Sequence, residues 1–239
     1  MHPLDNPIWQ ALVSTHERLA QVCEGARKFR HEVSVLAGLS EPMSDNYNSL
    51  AALLRPNERV GLFLQQPPDP PASWGIVSHG PLLQMLCENR NSVPALPSNG
   101  VPSSQPEFVR LGPSDVPEML ALTKLTKPGP FGSRTHEMGE YFGIRTSGTL
   151  AAMAGERLRL PGYTEISAVC THPDHLGHGY ASALISMLRD RIFRRGELPC
   201  LHVRPENDRA IQVYERLGFT KRAELHLVVL RHEAGQNPP

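Results

Sequence analysis

Two glycines one residue apart, Gly177 and Gly179, lie in the segment THPDHLGHGYASAL, where a β-branched run ends and an apolar-periodic stretch begins. Glycine lets the backbone approach a bound group closely because it carries no side chain. The stretch after Gly179 is predicted to be a helix, and the first N–H groups of a helix have no partner within it. These groups also lie at the positive end of the helix dipole, so the junction could hold an anion through main-chain groups alone.

The same glycines could simply form a tight turn between a strand and a helix, and the loop alone leaves that alternative open. Two kinds of nucleotide site are excluded. A P-loop requires Gly-Lys-Ser/Thr, which does not occur in the segment. A dinucleotide fingerprint requires a third glycine where Ser182 stands, and an acidic residue where Arg204 ends the next predicted strand.

The loop resembles the acyl-CoA loop of the GNAT superfamily of acyltransferases. The pattern of that family is Gln/Arg-x-x-Gly-x-Gly/Ala, and residues 176–181 read Leu-Gly-His-Gly-Tyr-Ala. Leu176 departs from the usual Gln or Arg. A second segment, RPENDRAIQVYERLGF, resembles the C-terminal signature of the family, and its matching residues are Asn207, Ala210, Tyr214, Gly218 and Phe219. The resemblance covers roughly residues 108–232 and is greatest to a bacterial subgroup related to glycine N-acyltransferases, with an extra N-terminal half.

The resemblance implies that acetyl-CoA binds along the loop and the strand before it. The implied cofactor contacts are Val169, Cys170, Thr171, Leu176, Gly177, His178, Gly179, Tyr180, Ala181, Ser182, Asn207, Ala210 and Tyr214. In GNAT folds this strand splays from its neighbour, which would free the main chain of Val169 or Cys170 for the thioester oxygen. Main-chain donors aimed at a developing oxyanion are usually a large catalytic term. Cys170 is not expected to be a nucleophile, because nothing near it in the sequence would lower its pKa.

The implied reaction is direct transfer of an acetyl group from acetyl-CoA to a primary amine in a ternary complex. By resemblance Tyr214 protonates the leaving thiolate, and the alternative is an ordinary core tyrosine. An amine with a pKa of about 10 is neutral in only ~1 molecule per thousand at pH 7, so a base would help. Glu165, on the strand before the loop, is the candidate base, and a salt-bridged strand acid is the alternative. His202 could relay a proton or could be a packed histidine.

These residues require a strand, the loop, a helix, a strand and a second helix in that order. The sequence predicts the two strands over 164–171 and 198–204, and the two helices over 179–195 and 208–217. A strand at 107–111, a helix reaching about residue 126 and a hairpin split at Ser147-Gly148 precede them, and a last strand covers 223–231. We therefore predict an α/β (α+β) GNAT fold, with a mixed, mostly antiparallel central sheet flanked by helices.

A Pro/Ser-rich segment before Pro106 predicts a linker, with a domain boundary near that residue. Residues 1–105 are expected to form a smaller α/β domain, which could be a degenerate GNAT-like half, and residues 106–235 the acetyltransferase domain. In the first part, apolar spacing from Ile8 to Val22 predicts a helix over Asp5–Arg30. Further elements are expected there as a helix at 45–54, strands at 59–64 and 74–78, and either a helix or a strand at 82–87.

Composition bounds the partners. The chain has 24 lysines and arginines and 24 aspartates and glutamates, so its formal net charge is zero. A neutral chain is not expected to bind nucleic acid or an acidic membrane as its main partner. The histidines lack metal-ligand spacing, and no metal is expected. The opening MHPLDNPIWQ is not typical of a secretory signal, and no apolar stretch is long enough to span a membrane, so a cytoplasmic monomer or homodimer is expected. Two other functions stay open, namely a catalytically silent acyl-CoA-binding or interaction module and a nucleotide-phosphate binder.

Overall fold

A computed structural model of the protein describes residues 2–90 and 106–233. The helices are α1 (Pro7–Leu12), α2 (Ser44–Ala52), α3 (Val116–Thr126), α4 (Tyr180–Arg194) and α5 (Asp208–Arg216). The strands are β1 (Ala20–Cys23), β2 (Ala26–Phe29), β3 (Ala37–Leu39), β4 (Arg59–Leu64), β5 (Trp74–Leu86), β6 (Phe108–Leu111), β7 (Tyr141–Thr146), β8 (Thr149–Leu160), β9 (Tyr163–Thr171), β10 (Leu198–Val203) and β11 (Thr220–His232). None of the helices in these ranges is long and apolar enough to cross a membrane.

The strands form two sheets. The larger one has eight strands in the order β4-β11-β5-β10-β9-β8-β7-β6, and the smaller one has the order β1-β2-β3. Within the larger sheet β9 and β10 run parallel, and the other neighbouring strands run antiparallel. The prediction of a mixed, mostly antiparallel sheet flanked by helices, with a smaller α/β part before it, is confirmed.

Strands from the first part of the chain enter the larger sheet. β5 lies between β10 and β11, and β4 forms one edge beside β11. The segment 82–87, which could have been a helix or a strand, is mostly the end of β5. The division into domains at residues 1–105 and 106–235 stays a prediction, as does a degenerate GNAT-like half. The linker predicted before Pro106 falls mostly on residues 91–105, outside the described residues.

Each face of the larger sheet packs against a different layer, because successive side chains of a strand point to opposite faces. One face, here called the helix face, packs α4 and α5 in an apolar cluster that includes Ile166, Leu201 and Val203. On the other face, apolar side chains of residues 4–36 pack against Phe63, Leu82, Leu86, Leu158 and Leu225. This second face is called the N-terminal face.

Helix α4 shows why the predicted elements after residue 106 agree with the structure. Leu184, Ile185, Leu188 and Ile192 recur at helical spacing, and all four are fully buried on the helix face. Burying each such side chain stabilises the fold by roughly 1.5–3 kcal/mol. The helix ends as predicted just before Gly196, whose φ of 75° is left-handed, a conformation that favours glycine at a helix end.

The helix predicted over Asp5–Arg30 is wrong. The structure has a 3₁₀ turn at Pro3–Asp5, then α1, a turn at Glu17–Leu19, and the hairpin of β1 and β2. Val22, counted on the apolar face of the predicted helix, is 51% exposed on β1. The hairpin turn contains Gly25, where an added Cβ would lie within 3 Å of the side chains of Asn46 and Ser40. Packing against a neighbouring segment thus overrides a weak local helical pattern.

Candidate functional site

The glycine loop joins β9 to α4. Gly177 and Gly179 have φ values of 84° and 75°, and nothing lies within 4 Å of a Cβ added at either position. The left-handed backbone, rather than lack of space, is therefore what requires glycine here. Gly179 is the N-cap of α4 and has no side chain to cap it, and the N–H of Ala183 donates to its carbonyl at 3.0 Å. The N–H groups of residues 180–182 precede that bond, so they have no acceptor within the helix.

Ring contacts order the loop. The His178 ring stacks on the Tyr180 ring, with centroids 5.5 Å apart and planes 28° apart. Nδ1 of His178 lies 3.1 Å from the carbonyl oxygen of His175 and 3.2 Å from that of Leu176. The side chain of Leu176, where the family pattern has Gln or Arg, is half exposed. The loop is thus shaped by its own main chain and rings, and its free N–H groups lie at the start of a 15-residue helix.

The two parallel strands beside the loop separate as they approach it. Pairing between β9 and β10 covers Tyr163–Glu165 and Leu198–Cys200, whereas β9 continues to Thr171 and β10 to Val203. From Cys200 onward β10 pairs with β5 on its other side. An opening thus forms between the carboxyl ends of two adjacent strands, as expected from the resemblance.

A bulge shapes the β9 side of that opening. Met153 pairs with Cys170 and Gly155 with Ser167, so two residues of β9, Ala168 and Val169, face one residue of β8. Ala168 has a φ of 53°, an unusual conformation for a residue with a side chain. Bulges re-aim the backbone and interrupt pairing. The main chain predicted to bind the thioester oxygen therefore lies at a local irregularity beside the opening.

Several predicted contacts gather on the helix face. Val169, Tyr180, Ala210 and Tyr214 all pack against the apolar cluster of that face. The strand before the loop, the start of α4 and the middle of α5 thus lie on one side of the sheet, next to the opening. Asn207 is the N-cap of α5, and its Oδ1 accepts a hydrogen bond from the N–H of Ala210 at 3.2 Å. The structure gives Asn207 this capping role, and its cofactor contact stays a prediction.

Two candidate groups keep their protons. Tyr214 is partly buried, its ring lies edge-on to Phe219 at 6.2 Å, and burial raises its pKa to about 12. Cys170 is buried and packs in a cluster with α3, and burial raises the pKa of its thiol to about 11. A protonated, buried thiol is a poor nucleophile, so Cys170 can contribute to the site only through its main chain.

Glu165 lies on the N-terminal face with its side chain 1% exposed. The guanidinium of Arg157 binds both carboxylate oxygens, with Nε at 2.8 Å and Nη2 at 2.6 Å. Nδ1 of His202 lies 2.7 Å from Oε1, and the His202 side chain is also 1% exposed. Although burial alone would raise the pKa of Glu165, the charge of Arg157 and these hydrogen bonds hold it far below its ordinary value.

The contacts of Glu165 extend across the sheet. The amide nitrogen of Gln84 lies 2.9 Å from Nε2 of His202 and donates to it, so the proton of His202 is on Nδ1 and points at Glu165. Arg222 fixes the orientation of that amide by donating to its oxygen at 2.6 Å, and Arg222 also binds Asp5 at 2.5 Å. We call Arg157, Glu165, His202, Gln84, Arg222 and Asp5 the buried polar chain.

Sequence reasoning missed Arg157, Gln84 and Arg222. Asp5 and Arg222 are 217 positions apart, and each neighbouring pair of the buried polar chain comes from different strands or segments. The available signal was weak, namely a polar residue inside an apolar strand, as in LLQML around Gln84. The buried polar chain occupies every nitrogen of the His202 ring and both oxygens of Glu165. Glu165 as the base therefore gains no support from its contacts and stays a prediction.

An open pocket of about 380 Å³ lies beside the end of α3. Thr123, Lys124 and Lys127, at the end of α3, line it together with Phe131 from the next loop. Helix α3 packs against β9, since Met119 and Leu122 share a buried apolar cluster with Cys170. Within residues 2–90 and 106–233, no group of three or more His, Cys, Asp or Glu side chains could hold a metal ion.

Comparison with known proteins agrees with this geometry. The model of a family described as FR47-like protein matches residues 141–228. The solved structure of a GNAT-family protein from Novosphingobium aromaticivorans is 36% identical, covers 96% of this chain and 98% of its own, and has a TM-score of 0.84. The chain therefore belongs to the GNAT family. A GCN5-related N-acetyltransferase from Kribbella flavida shares the fold at 19% identity and a TM-score of 0.58, covering 95% of this chain and 97% of its own.

Among curated proteins, the N-alpha-acetyltransferase RimI of Mycobacterium tuberculosis is 37% identical over 84 residues. The match covers 34% of this chain and 52% of RimI, so the chain spans about half the length of that relative. The predicted subgroup related to glycine N-acyltransferases stays a prediction.

Proposed function

We propose that the protein is an N-acetyltransferase that moves an acetyl group directly from acetyl-CoA to a primary amine of a small molecule, an amino acid or a protein. Membership of the GNAT family supports this proposal, as do the acetyltransferase names among its relatives. We propose that the enzyme works in the cytoplasm, as a monomer or a homodimer, without a metal.

One observation carries the proposal. The opening between β9 and β10 lies beside the glycine loop, and Tyr214 packs on the same face of the sheet. A pyrophosphate at the start of α4 and a thioester in the opening are consistent with one extended molecule lying between them. A plain strand–turn–helix joint would need neither the separated strands nor the bulge at Ala168.

In the proposed reaction the free N–H groups at residues 180–182 bind the pyrophosphate of CoA. The main chain of Val169 or Cys170 donates to the thioester oxygen as negative charge develops on it in the tetrahedral intermediate. When that intermediate collapses, the C–S bond breaks and Tyr214 donates its hydroxyl proton toward the thiolate. With its pKa raised to about 12, Tyr214 stays a proton donor throughout the neutral and mildly alkaline range.

The acceptor must lose a proton before it attacks. Glu165 and His202 are the predicted base and relay, but Arg157 and Gln84 already occupy their acceptor atoms. We propose that Glu165 orients His202 and the adjoining strands, and that the amine gives its proton to water unless the buried polar chain opens when substrate binds. The pocket beside α3 is the proposed entry for the acceptor.

The test follows free thiol while the protein is incubated with acetyl-CoA and a panel of amines. We expect thiol release with at least one amine, and a ~100-fold lower kcat in Tyr214→Phe with little change in the KM for acetyl-CoA. Tyr163→Phe is the matched control, since its hydroxyl bonds His2 at 3.0 Å, away from the glycine loop. An unchanged kcat in Tyr214→Phe would contradict the role of Tyr214 as the acid.

The alternative is a catalytically silent acyl-CoA-binding module, and one observation favours it. Both candidate proton acceptors, Glu165 and His202, are 1% exposed and fully bonded. A silent module would be protected by CoA against heating, yet no amine would release thiol. Substituting the loop glycines would abolish that protection under either function, so the thiol assay decides between them. Stabilisation by ATP or NAD beyond that given by CoA would instead indicate a nucleotide-phosphate binder.

A further inference from the structure

Helix α5 carries Tyr214, yet none of its residues is fully buried. Ala210, Ile211 and Val213 pack against the apolar cluster of the helix face only as half-buried side chains, and so does Tyr214. Helix α4 places four fully buried apolar side chains in the same cluster. Because the stabilisation from apolar packing grows with the area buried, this packing alone fixes α5 less firmly than α4.

A buried arginine connects the two helices. Arg189 lies on α4 with its side chain 2% exposed, and its Nη1 donates to the carbonyl oxygen of Leu217 at 2.9 Å. Leu217 is the C-cap of α5, and the last carbonyl groups of a helix have no partner within it. The thiol of Cys87 also contacts this oxygen, at 4.0 Å, but a thiol is a weak donor.

The charge of Arg189 suits this position. The carbonyl groups at a helix C-terminus carry partial negative charge, which favours a nearby cation. Nε and Nη2 of Arg189 lie 3.3 and 3.1 Å from Oδ1 of Asp190, so the guanidinium is bonded on two sides and its plane is fixed. Since burial of an arginine is costly unless its donors are used, the bond to Leu217 is a specific contact between α4 and α5.

Tyr214 lies less than one turn before this contact. The N–H groups of Leu217 and Phe219 both donate to the carbonyl oxygen of Tyr214 at 3.0 Å, so the end of α5 that Arg189 binds is continuous with the main chain of Tyr214. A displacement of about 1 Å at a reacting group can lower a rate ~100-fold. The position of this helix end therefore matters for a proton donor on α5.

We propose that Arg189 is a positioning residue, which fixes the C-terminal end of α5 against α4 and so places the Tyr214 hydroxyl beside the sulfur of the thioester. This inference rests on the proposed function, in which Tyr214 protonates the leaving thiolate. Arg189 takes no part in that proton transfer and acts only through the position of α5.

A double-mutant cycle on kcat tests the proposal. In Arg189→Met, which fills much of the same space without the donors, kcat should fall about tenfold, and the KM for the amine should change less than about twofold. In the Tyr214→Phe background the same substitution should lower kcat less than about twofold, because the proton donor that Arg189 positions is absent. A general loosening of the fold would instead lower kcat by the same factor in both backgrounds.

Three further variants complete the experiment. Arg194→Met is the matched control, since Arg194 lies on the same helix and is exposed, and its kcat should stay at the wild-type value. Arg189→Lys retains a cationic donor and should keep at least about a third of the wild-type kcat. Arg189→Gln, whose nitrogen lies two bonds closer to the main chain, replaces Arg189→Met in the cycle if the methionine variant does not fold.

Equal factors of kcat loss in the wild-type and Tyr214→Phe backgrounds would overturn the proposal, and so would an unchanged kcat in the cycle variant at Arg189. In either case the proposed function would stand, because the wild type would still release thiol. A wild type that releases no thiol with any amine, or a Tyr214→Phe as active as the wild type, would overturn the proposed role of Tyr214 and this inference together.

Discussion

The two faces of the eight-stranded sheet are stabilised in different ways. On the helix face the strands meet α4 and α5 through apolar side chains such as Leu188 and Leu201. On the N-terminal face the apolar packing is interrupted by the buried polar chain, in which Glu165 and His202 are nearly inaccessible. Apolar contacts add up gradually and tolerate exchange of similar side chains. A buried ion pair is different, because losing one partner leaves a charge without compensation.

Substitutions on the two faces should therefore affect different properties of the protein. The glycine loop and Tyr214 depend on the helix face, so the proposed chemistry should tolerate modest changes of that core. On the N-terminal face, by contrast, a single substitution in the buried polar chain should cause a large loss of stability. Four predictions test this difference, from the largest expected effect on stability to the smallest.

Arg157→Met should lower the free energy of unfolding by ~3–5 kcal/mol, because it leaves the Glu165 carboxylate buried without its cation. Urea unfolding at pH 7 measures the change. Arg110→Met is the control, since Arg110 pairs with Glu140 at the surface with its side chain 71% exposed, and we expect it to cost less than ~1 kcal/mol. Equal effects of the two variants would remove the distinction between the faces.

Lowering the pH should destabilise the N-terminal face through His16. Burial lowers the pKa of His16 to about 4, and its Nε2 accepts the N–H of Arg159 at 3.0 Å. Between pH 6.5 and 4 the unfolded chain gains a proton that the folded chain does not, so stability falls as the pH falls, by up to ~3 kcal/mol. Urea unfolding at pH 7 and pH 5 measures the effect. The free energy of unfolding should differ less between these two pH values in His16→Gln than in the wild type. An equal difference in both proteins would assign the effect to other groups.

Gly179→Ala should destabilise the protein by ~1–2 kcal/mol, the cost of placing a side chain in the left-handed region. No clash adds to that cost, since nothing lies within 4 Å of the new Cβ. Gly112→Ala is a matched control, because its Cβ would also meet nothing and its φ of −133° suits any residue. We expect thermal unfolding to separate the two, and a control as destabilised as Gly179→Ala would refute strain as the cause.

Leu188→Met should have the smallest effect, less than ~1.5 kcal/mol, although Leu188 is fully buried. Methionine has a similar volume and adapts to the cavity of the helix face. Arg157→Lys makes an equally conservative exchange on the N-terminal face and should cost more, because lysine cannot bind both Glu165 oxygens at once. Urea unfolding of both variants tests this prediction. It is wrong if Leu188→Met lowers the free energy of unfolding more than Arg157→Lys does.

The local signals of the sequence account for much of the helix face. Glycine at 177, 179 and 196, and apolar spacing from Leu184 to Ile192, are short-range features that fix one loop and one helix. The N-terminal face depends on pairing of distant segments instead. Gln84 meets His202 only because β5 lies beside β10 in a given register, and no local pattern encodes that register. Likewise the apolar spacing around Val22 is typical of a helix, but packing of the β1–β2 hairpin against a neighbouring segment determines the structure there.

The position of β5 between β10 and β11 has a consequence for how the chain acquires its structure. Leu86 of β5 pairs with Thr220 of β11, which lies 134 positions later in the chain. Strand β4 also pairs with β11. During synthesis both strands leave the ribosome before either of these neighbours exists, so their edges stay open to pairing with other chains. Such distant pairings make folding slow. We expect the larger sheet to close only after translation nears its end, which makes the newly made chain a natural client for a chaperone.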